Sequence, residues 1–238
     1  MLMHSLLIAA LAHVANFVEL NEDVPLIPRE VLFGNPERAG VQLSPNGDYI
    51  SFLAPLNGVL NVWIQSVEDG VVGDADTSKM KPMPITRSTE RPITNYGWAI
   101  NGKQILYMQD KGGNENTHVY AVDISTGETT DLTPGDDVKA SMMGGHRDRP
   151  DEILVQSNAR NTSSMDVLKI NTRTGESEMA FLNDGGFVGM IPDDDWVFRV
   201  RAKMTPDGGT LQEYRDSPEA EWQELDKVGL EDAMSTSA

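Results

Sequence analysis

Residues 98–132 read WAINGKQILYMQDKGGNENTHVYAVDISTGETTDL, and this stretch decides the fold. It holds two apolar runs of strand character, Ile105-Leu106-Tyr107-Met108 and Val119-Tyr120-Ala121-Val122, separated by Gly, Asn and charge. Much of its pattern returns 48 positions later: Asp123, Thr126, Gly127 and Glu128 are echoed by Asn171, Thr174, Gly175 and Glu176. Self-similarity at that period predicts stacked four-stranded units, the architecture of a β-propeller. Propellers carry many unrelated functions, so the echo speaks to fold rather than activity.

Outward from that stretch, four segments share one order: a polar turn, an apolar strand, then a second strand. The expected turns are Pro45-Asn46-Gly47-Asp48, Asn101-Gly102-Lys103, Arg149-Pro150-Asp151-Glu152 and Pro192-Asp193-Asp194-Asp195. Gly, Asn, Asp and Pro supply the backbone angles and local side-chain bonds that tight turns need. The first strands are expected at Tyr49-Ile50-Ser51-Phe52-Leu53, Ile105-Leu106-Tyr107-Met108, Ile153-Leu154-Val155 and Trp196-Val197-Phe198. The second strands follow 15 residues on in three segments and 13 in the first, at Val62-Trp63-Ile64, Val119 to Val122, Val167-Leu168-Lys169-Ile170 and Leu211-Gln212-Glu213-Tyr214. Several runs are continuously apolar, as expected of strands covered on both faces. Trp63, Trp98 and Trp196 read as core, and Trp222 as outer-strand packing.

These elements give a leader over residues 1–24 and a propeller domain over 25–238, with blades at about 40–90, 91–136, 137–184 and 185–230. The irregular stretch over residues 67–84 reads as a surface loop, because Pro82 and Pro84 forbid an inner strand. Closure of a four-bladed ring needs a strand from the other terminus, and Val31-Leu32-Phe33 could serve.

The formal charge of -18 excludes nucleic acid, which needs clustered Lys and Arg, and disfavours anionic lipid. A solvated acidic surface is the plain reading; steering of cationic peptides is the sharper one. There is no cysteine, hence no disulfide and no thiolate zinc site. The leader segment Leu-Leu-Ile-Ala-Ala-Leu-Ala-His-Val-Ala at 6–15 is apolar, with Ala10-Leu11-Ala12 shaped like a cleavage site, yet no Lys or Arg precedes it. A signal peptide and a docked helix both remain open. Location follows that choice: periplasmic or secreted with a signal peptide, otherwise cytoplasmic.

At particular residues the chain resembles the N-terminal propeller of prolyl oligopeptidase-family serine peptidases, in their acylaminoacyl- and dipeptidyl-peptidase-like branch. The matching stretches are Leu26-Ile27-Pro28-Arg29-Glu30-Val31-Leu32-Phe33-Gly34-Asn35-Pro36 and Leu43-Ser44-Pro45-Asn46-Gly47-Asp48-Tyr49-Ile50. Asn61-Val62-Trp63, Arg91-Pro92-Ile93, Trp98-Ala99, Gln109-Asp110-Lys111-Gly112-Gly113-Asn114-Glu115-Asn116 and Asp131-Leu132-Thr133-Pro134 complete the set. The resemblance implies a propeller of seven or eight blades that caps an α/β-hydrolase domain and admits short peptides. About four blades are expected here, a partial propeller. The implied partners are short peptides or an α/β-hydrolase domain, with self-association through open blade faces.

Catalytic chemistry is not legible in these 238 residues. No G-x-S-x-G elbow occurs, and the four histidines are His4 and His13 in the leader, His118 and His146. No catalytic, cofactor-binding or metal-binding residue is assigned. His118 reads as a hydrogen-bonded structural histidine and His146 as a loop residue. His118 with Glu115 and Asp123 is a ligand set by number alone. Asp74-Ala75-Asp76-Thr77-Ser78 lacks the glycine and distal glutamate of a calcium loop. Asp193-Asp194-Asp195 reads as a turn, and Asn161-Thr162-Ser163 matches a glycosylation sequon. Beyond packing, the best candidate is the segment from Asp110 to Asn116, between two strands of the second blade.

Overall fold

The computed structural model describes residues 26–67 and 81–233. The leader and Asp74 to Ser78 lie outside the described residues. The chain divides into two units, residues 1–35 and 36–238. In the first, the described part contains a short helix, α1 (Arg29–Phe33). This corrects the expectation that Val31-Leu32-Phe33 forms a closing strand. Pro28 presets a helical φ, and its carbonyl accepts the Val31 amide at 3.0 Å, a bond that needs no partner strand.

The second unit is all-β, with four four-stranded antiparallel sheets, matching a partial β-propeller. Sheet 1 comprises β1 (Ala39–Leu43), β2 (Tyr49–Leu56), β3 (Val59–Ser66) and β4 (Met83–Pro84). Sheet 2 comprises β5 (Tyr96–Trp98), β6 (Gln104–Gln109), β7 (His118–Asp123) and β8 (Thr129–Asp131). Sheet 3 comprises β9 (Ala140–His146), β10 (Arg149–Ser157), β11 (Asp166–Asn171) and β12 (Ser177–Phe181). Sheet 4 comprises β13 (Gly189–Pro192), β14 (Phe198–Met204), β15 (Thr210–Tyr214) and β16 (Gln223–Val228), and helix α2 (Leu230–Ala233) follows. Within each sheet the strands pair in chain order.

The continuous apolar runs are explained by what lies on either side of each sheet. Ile105 joins Leu53, Val62 and Ile64 in the core between sheets 1 and 2. Its neighbour Leu106 points the other way, into the core with Val138, Ile153 and Val155 of sheet 3. Leu154 faces the third core, with Phe187, Met190 and Phe198. Successive strand residues alternate faces, so a sheet clad on both sides needs apolar residues at every position. Each such side chain, once buried, contributes roughly 1.5–3 kcal/mol. Among the described residues, the apolar cores join sheets 1 and 2, 2 and 3, and 3 and 4.

The 48-residue echo is a repeated turn. Asp123 Oδ1 accepts the amides of Ser125 and Thr126, and Asn171 Oδ1 accepts those of Arg173 and Thr174. Thr126 and Thr174 then accept the amides of Glu128 and Glu176. Gly127 and Gly175 close the turns at φ 73° and 74°, a conformation only glycine adopts without strain. Aspartate and asparagine interchange here because the turn uses only the acceptor oxygen.

A second relation recurs in all four sheets, from the residue after the third strand to the segment that opens the second. Val67 donates to the Asp48 carbonyl, Ile124 to Lys103, Thr172 to Asp151 and Arg215 to Arg199, at 2.7–3.0 Å.

Three local expectations change. Arg149, Pro150, Asp151 and Glu152 lie within β10, and the turn is the residue pair 147–148 before it. Trp196 sits in the turn before β14, at φ 62°, because Asp193 Oδ1 draws in the amides of both Asp195 and Val197. Met83 and Pro84 form the edge strand of sheet 1, a place where a proline removes no ladder bond that the sheet needs. Trp63 and Trp98 lie on β3 and β5 and are half-buried; Trp222 precedes β16 beneath Arg201 and Arg215.

Candidate functional site

In an antiparallel meander, the connections after the second and fourth strands emerge at one rim. The segments 85–95, 110–117 and 132–139 therefore share an edge of sheets 1 to 3, and the segment singled out in the sequence is the central one. Its shape follows from its residues. Asp110 Oδ1 accepts from Arg91 Nε at 3.2 Å, and Asp110 Oδ2 accepts the Glu115 amide at 3.2 Å. Asn114 Oδ1 accepts the Asn116 amide at 3.0 Å, and Asn116 Nδ2 donates to the Asp136 carbonyl at 3.4 Å. Gly112 and Gly113, at φ 64° and 83°, let the chain reverse inside this frame. Gln109 Nε2 reaches back to Ser88 Oγ at 3.1 Å and to the Arg91 carbonyl at 2.8 Å.

The Glu115 amide and then the Arg91 guanidinium hold the Asp110 carboxyl below its ordinary pKa. It is an anion near neutral pH, which is the state that accepts both bonds.

Two adjoining cavities, of about 240 and 260 Å³, flank this segment and share Lys111 and Tyr120. Arg87 and Glu90 line the first, and His118 and Asp136 the second. Beneath them the Tyr107 and Tyr120 rings stack at 5.1 Å, and His118 stacks on Tyr120 at 6.1 Å. Burial, then the Tyr120 phenol once it ionises and the Asp131 carboxylate, push the Tyr107 phenol up to about 12. Burial and then Asp131 also raise Tyr120. Both phenols therefore stay neutral and offer O–H groups.

His118 Nδ1 lies 2.7 Å from Asp131 Oδ2, and Asp131 Oδ1 accepts the Thr133 amide at 3.0 Å. The carboxylate fixes the ring, so His118 is a positioned side chain of the groove wall. Asp123 ends β7 on the opposite rim and Glu115 lies in the loop, so the numerical ligand set of His118 with these two is not assembled. Among the described residues no three His, Asp or Glu side chains converge as a metal site. Ser88 Oγ donates to the Arg91 carbonyl at 2.5 Å and is not aimed at an imidazole. The two cavities present charged and hydrogen-bonding side chains, and no nucleophile–base pair is assembled among their described lining residues.

The other sequence candidates lie elsewhere. His146 ends strand β9, where Nδ1 accepts the Asp148 amide at 3.2 Å and the ring meets Trp196 edge-on. Asp193 spends its carboxylate on two amides and Arg199 Nε at 2.7 Å, as a turn residue does. Asn161 is exposed between β10 and β11, with Oδ1 on the Ser163 amide. The His118–Asp131 pair and the contribution of Arg87 to Arg91 were not visible in the sequence. One signal was present: Ile85-Thr86 and Leu132-Thr133 are equivalent, since Thr86 and Thr133 Oγ1 accept the amides of Val62 and Val119. A third cavity of about 210 Å³ lies between β5 and β9, walled by Trp98, Met142 and Met143. None of its lining side chains is charged, so it offers shape but no orientation.

No family model matches the sequence. Over 212 residues the chain is 37% identical to dipeptidyl aminopeptidase BIII of Pseudoxanthomonas mexicana, a match covering 89% of this chain and 29% of that protein. It is 29% identical over 203 residues to dipeptidyl peptidase family member 6 of Caenorhabditis elegans, covering 82% and 26%. A solved prolyl endopeptidase chain overlays with a TM-score of 0.48 and 11% identity, over 76% of this chain and 26% of that one. The chain thus spans less than a third of the length of the curated relatives it matches. It resembles the N-terminal β-propeller of the prolyl oligopeptidase family, as its motifs imply.

Proposed function

We propose that this chain is the non-catalytic propeller portion of a prolyl oligopeptidase-like serine peptidase, gating and selecting short peptides for an α/β-hydrolase domain supplied from outside these 238 residues. The observation that carries this reading is the 37% identity with a dipeptidyl aminopeptidase over 89% of the chain. The rim groove supports it. Arg87 and Lys111 make no ion pair among the described residues, and Glu90 and Asp136 offer the opposite sign nearby. A short peptide carries both an amine and a carboxylate, so a groove with both signs suits it.

The chain by itself is expected to release no amino acid or dipeptide from peptide substrates. Turnover abolished by a serine-directed inhibitor would overturn the non-catalytic assignment. Fused ahead of the hydrolase domain of the relative, the propeller carrying Lys111→Glu and Asp136→Lys is expected to raise KM for peptides. Its hydrolysis of a small activated ester should not change. An unaltered peptide KM would remove the groove from selection.

A second reading, a stand-alone scaffold propeller that binds peptides or proteins, draws on the three complete cores between neighbouring sheets. Light scattering separates the two. Ile191 and Met204 of sheet 4 are exposed by 60% and 64%, surface that promotes association of copies in a part-propeller. A dimer or larger species supports the peptidase-portion reading, and a cooperatively melting monomer supports the scaffold.

A further inference from the structure

The apolar cavity of about 210 Å³ between β5 and β9 shares no lining residue with the rim groove. Ile100 and Gly145 place it beside the turns that follow these two strands, at the opposite rim. Three glycines line it, and two of them have a local reason. Gly144 stands at φ 141°, where a side chain is strained, and a side chain on Gly145 would press on Ile100 Cγ1 at 3.2 Å. Gly97 has neither reason. It is the middle residue of β5, its φ lies outside the left-handed region, and nothing lies within 4 Å of where its side chain would begin. Gly97 pairs with Leu106, which faces sheet 3, so a side chain at 97 would point into the cavity. Glycine inside a strand weakens it, and it marks places where another group approaches closely.

We infer that this cavity is a binding site for one uncharged aromatic ring, of benzene to indole size. A dry apolar cavity of about 150 Å³ already takes benzene, so one of about 210 Å³ admits a ring of that class. The walls favour a flat ligand. Gly145 pairs with Ile153, which belongs to the core between sheets 2 and 3, so Gly145 and Gly97 turn toward the same space from opposite sheets. Two facing backbones without side chains leave a slot. Leu106 and Ile153 supply aliphatic contact, and Met142 brings a thioether, which packs well against ring edges and adapts to shape. The Met142 amide is held by Met108 Sδ at 3.5 Å, so its main chain is fixed while its side chain remains free to adjust.

Charge on the ligand works against binding. No lining side chain is charged, so a carboxylate or ammonium carried on the ring would lose water without gaining a partner. A free ring and the side chain of a peptide present the same chemistry, and the exposed Gly144 and Gly145 leave the cavity open along β9 to either. The site stands apart from the peptidase reading, since it uses neither Lys111 nor Asp136.

The test follows the methionine methyl resonances of the full chain during titration with indole and, separately, with N-acetyltryptophan amide. Saturable ring-current shifts are expected at Met142, while Met83 and Met179, exposed on other strands, stay unmoved. Gly97→Val, which an ordinary strand conformation and open space accept, should fill the cavity, weaken binding about tenfold or more and leave the urea midpoint no lower. Gly97→Ala fills less of the same space and should weaken binding in the same direction. Tighter binding of the amide assigns the ring to a peptide side chain, and tighter binding of indole to a free ligand. Unsaturable shifts shared by Met83 and Met179, or undiminished affinity in either filled variant, would overturn the site.

Discussion

Gln104 and Thr172, 68 residues apart, exchange two hydrogen bonds across the junction of sheets 2 and 3. Gln104 Nε2 donates to the Thr172 carbonyl and Thr172 Oγ1 donates to Gln104 Oε1, both at 2.8 Å. Both residues are buried, so either partner left alone has no water to replace the other. Gln104→Leu is expected to destabilise the chain by about 1–3 kcal/mol, the cost of stranding a buried polar group. Urea unfolding checks this, and the double variant with Thr172→Val should recover only the part owed to the stranded Thr172 hydroxyl, because the main-chain carbonyl at 172 still lacks the Gln104 donor.

Asp166 plays a comparable part between sheets 3 and 4. It is 1% exposed and receives Arg160 Nε at 2.6 Å, Arg160 Nη2 at 2.8 Å and the Asn183 amide at 2.8 Å. Arg160 first, then the Asn183 amide, holds its carboxyl below the ordinary value of 3.8. A carboxyl lowered in the fold contributes stability that is complete above its unfolded pKa and is lost as pH falls through the folded one. Asp166→Asn should therefore cost stability at neutral pH, and the gap from the parent chain should narrow below about pH 3.9. Urea midpoints measured at neutral and acid pH give that difference directly.

Tyr107 has the opposite sign. Its phenol is pushed up to about 12, so the neutral form is the one the fold favours. That stability is full below the unfolded value of 10.0 and is lost as pH rises through the folded one. Ultraviolet titration of tyrosinate should show Tyr107 ionising last among the raised phenols of Tyr96, Tyr107 and Tyr120, and Tyr107→Phe should remove that last step and soften the alkaline transition.

Arg201 lies 4.1 Å from the centres of both the Phe187 and Trp222 rings and donates to Glu213 Oε2 at 2.9 Å. Lysine cannot stack its charge flat between two rings and keep a planar donor on the carboxylate. Arg201→Lys is expected to lose about 1–2 kcal/mol and to shift Trp222 emission toward that of a wetter indole. An unchanged denaturation midpoint would show that the stack contributes nothing.

How much of this could be read beforehand varies by element. The second strands around Val62, Val119, Val167 and Leu211 were legible because short β-branched runs bounded by turn residues permit few alternatives. The turn before β10 was misplaced because Pro150 and Asp151 are turn formers by composition, whereas the pairing of Arg149 with His146 of β9 and the Thr172 amide on the Asp151 carbonyl draw them into the strand. The groove was legible only at its centre. The Asp110 to Asn116 segment announces itself by glycine and asparagine, but its walls come from residues about 20 positions away on either side.

The sequence by itself determined the repeat, the all-β class and the kinship with a peptidase propeller, because these rest on local periodicity and on motifs. Only the tertiary structure decided that Ile105 and Leu106 serve two different cores and that His118 is held by Asp131. The physical reason is range. Turn chemistry and strand character act over a few residues, whereas burial, ion pairing and the freedom of a side chain depend on what a neighbouring sheet brings within 3–4 Å.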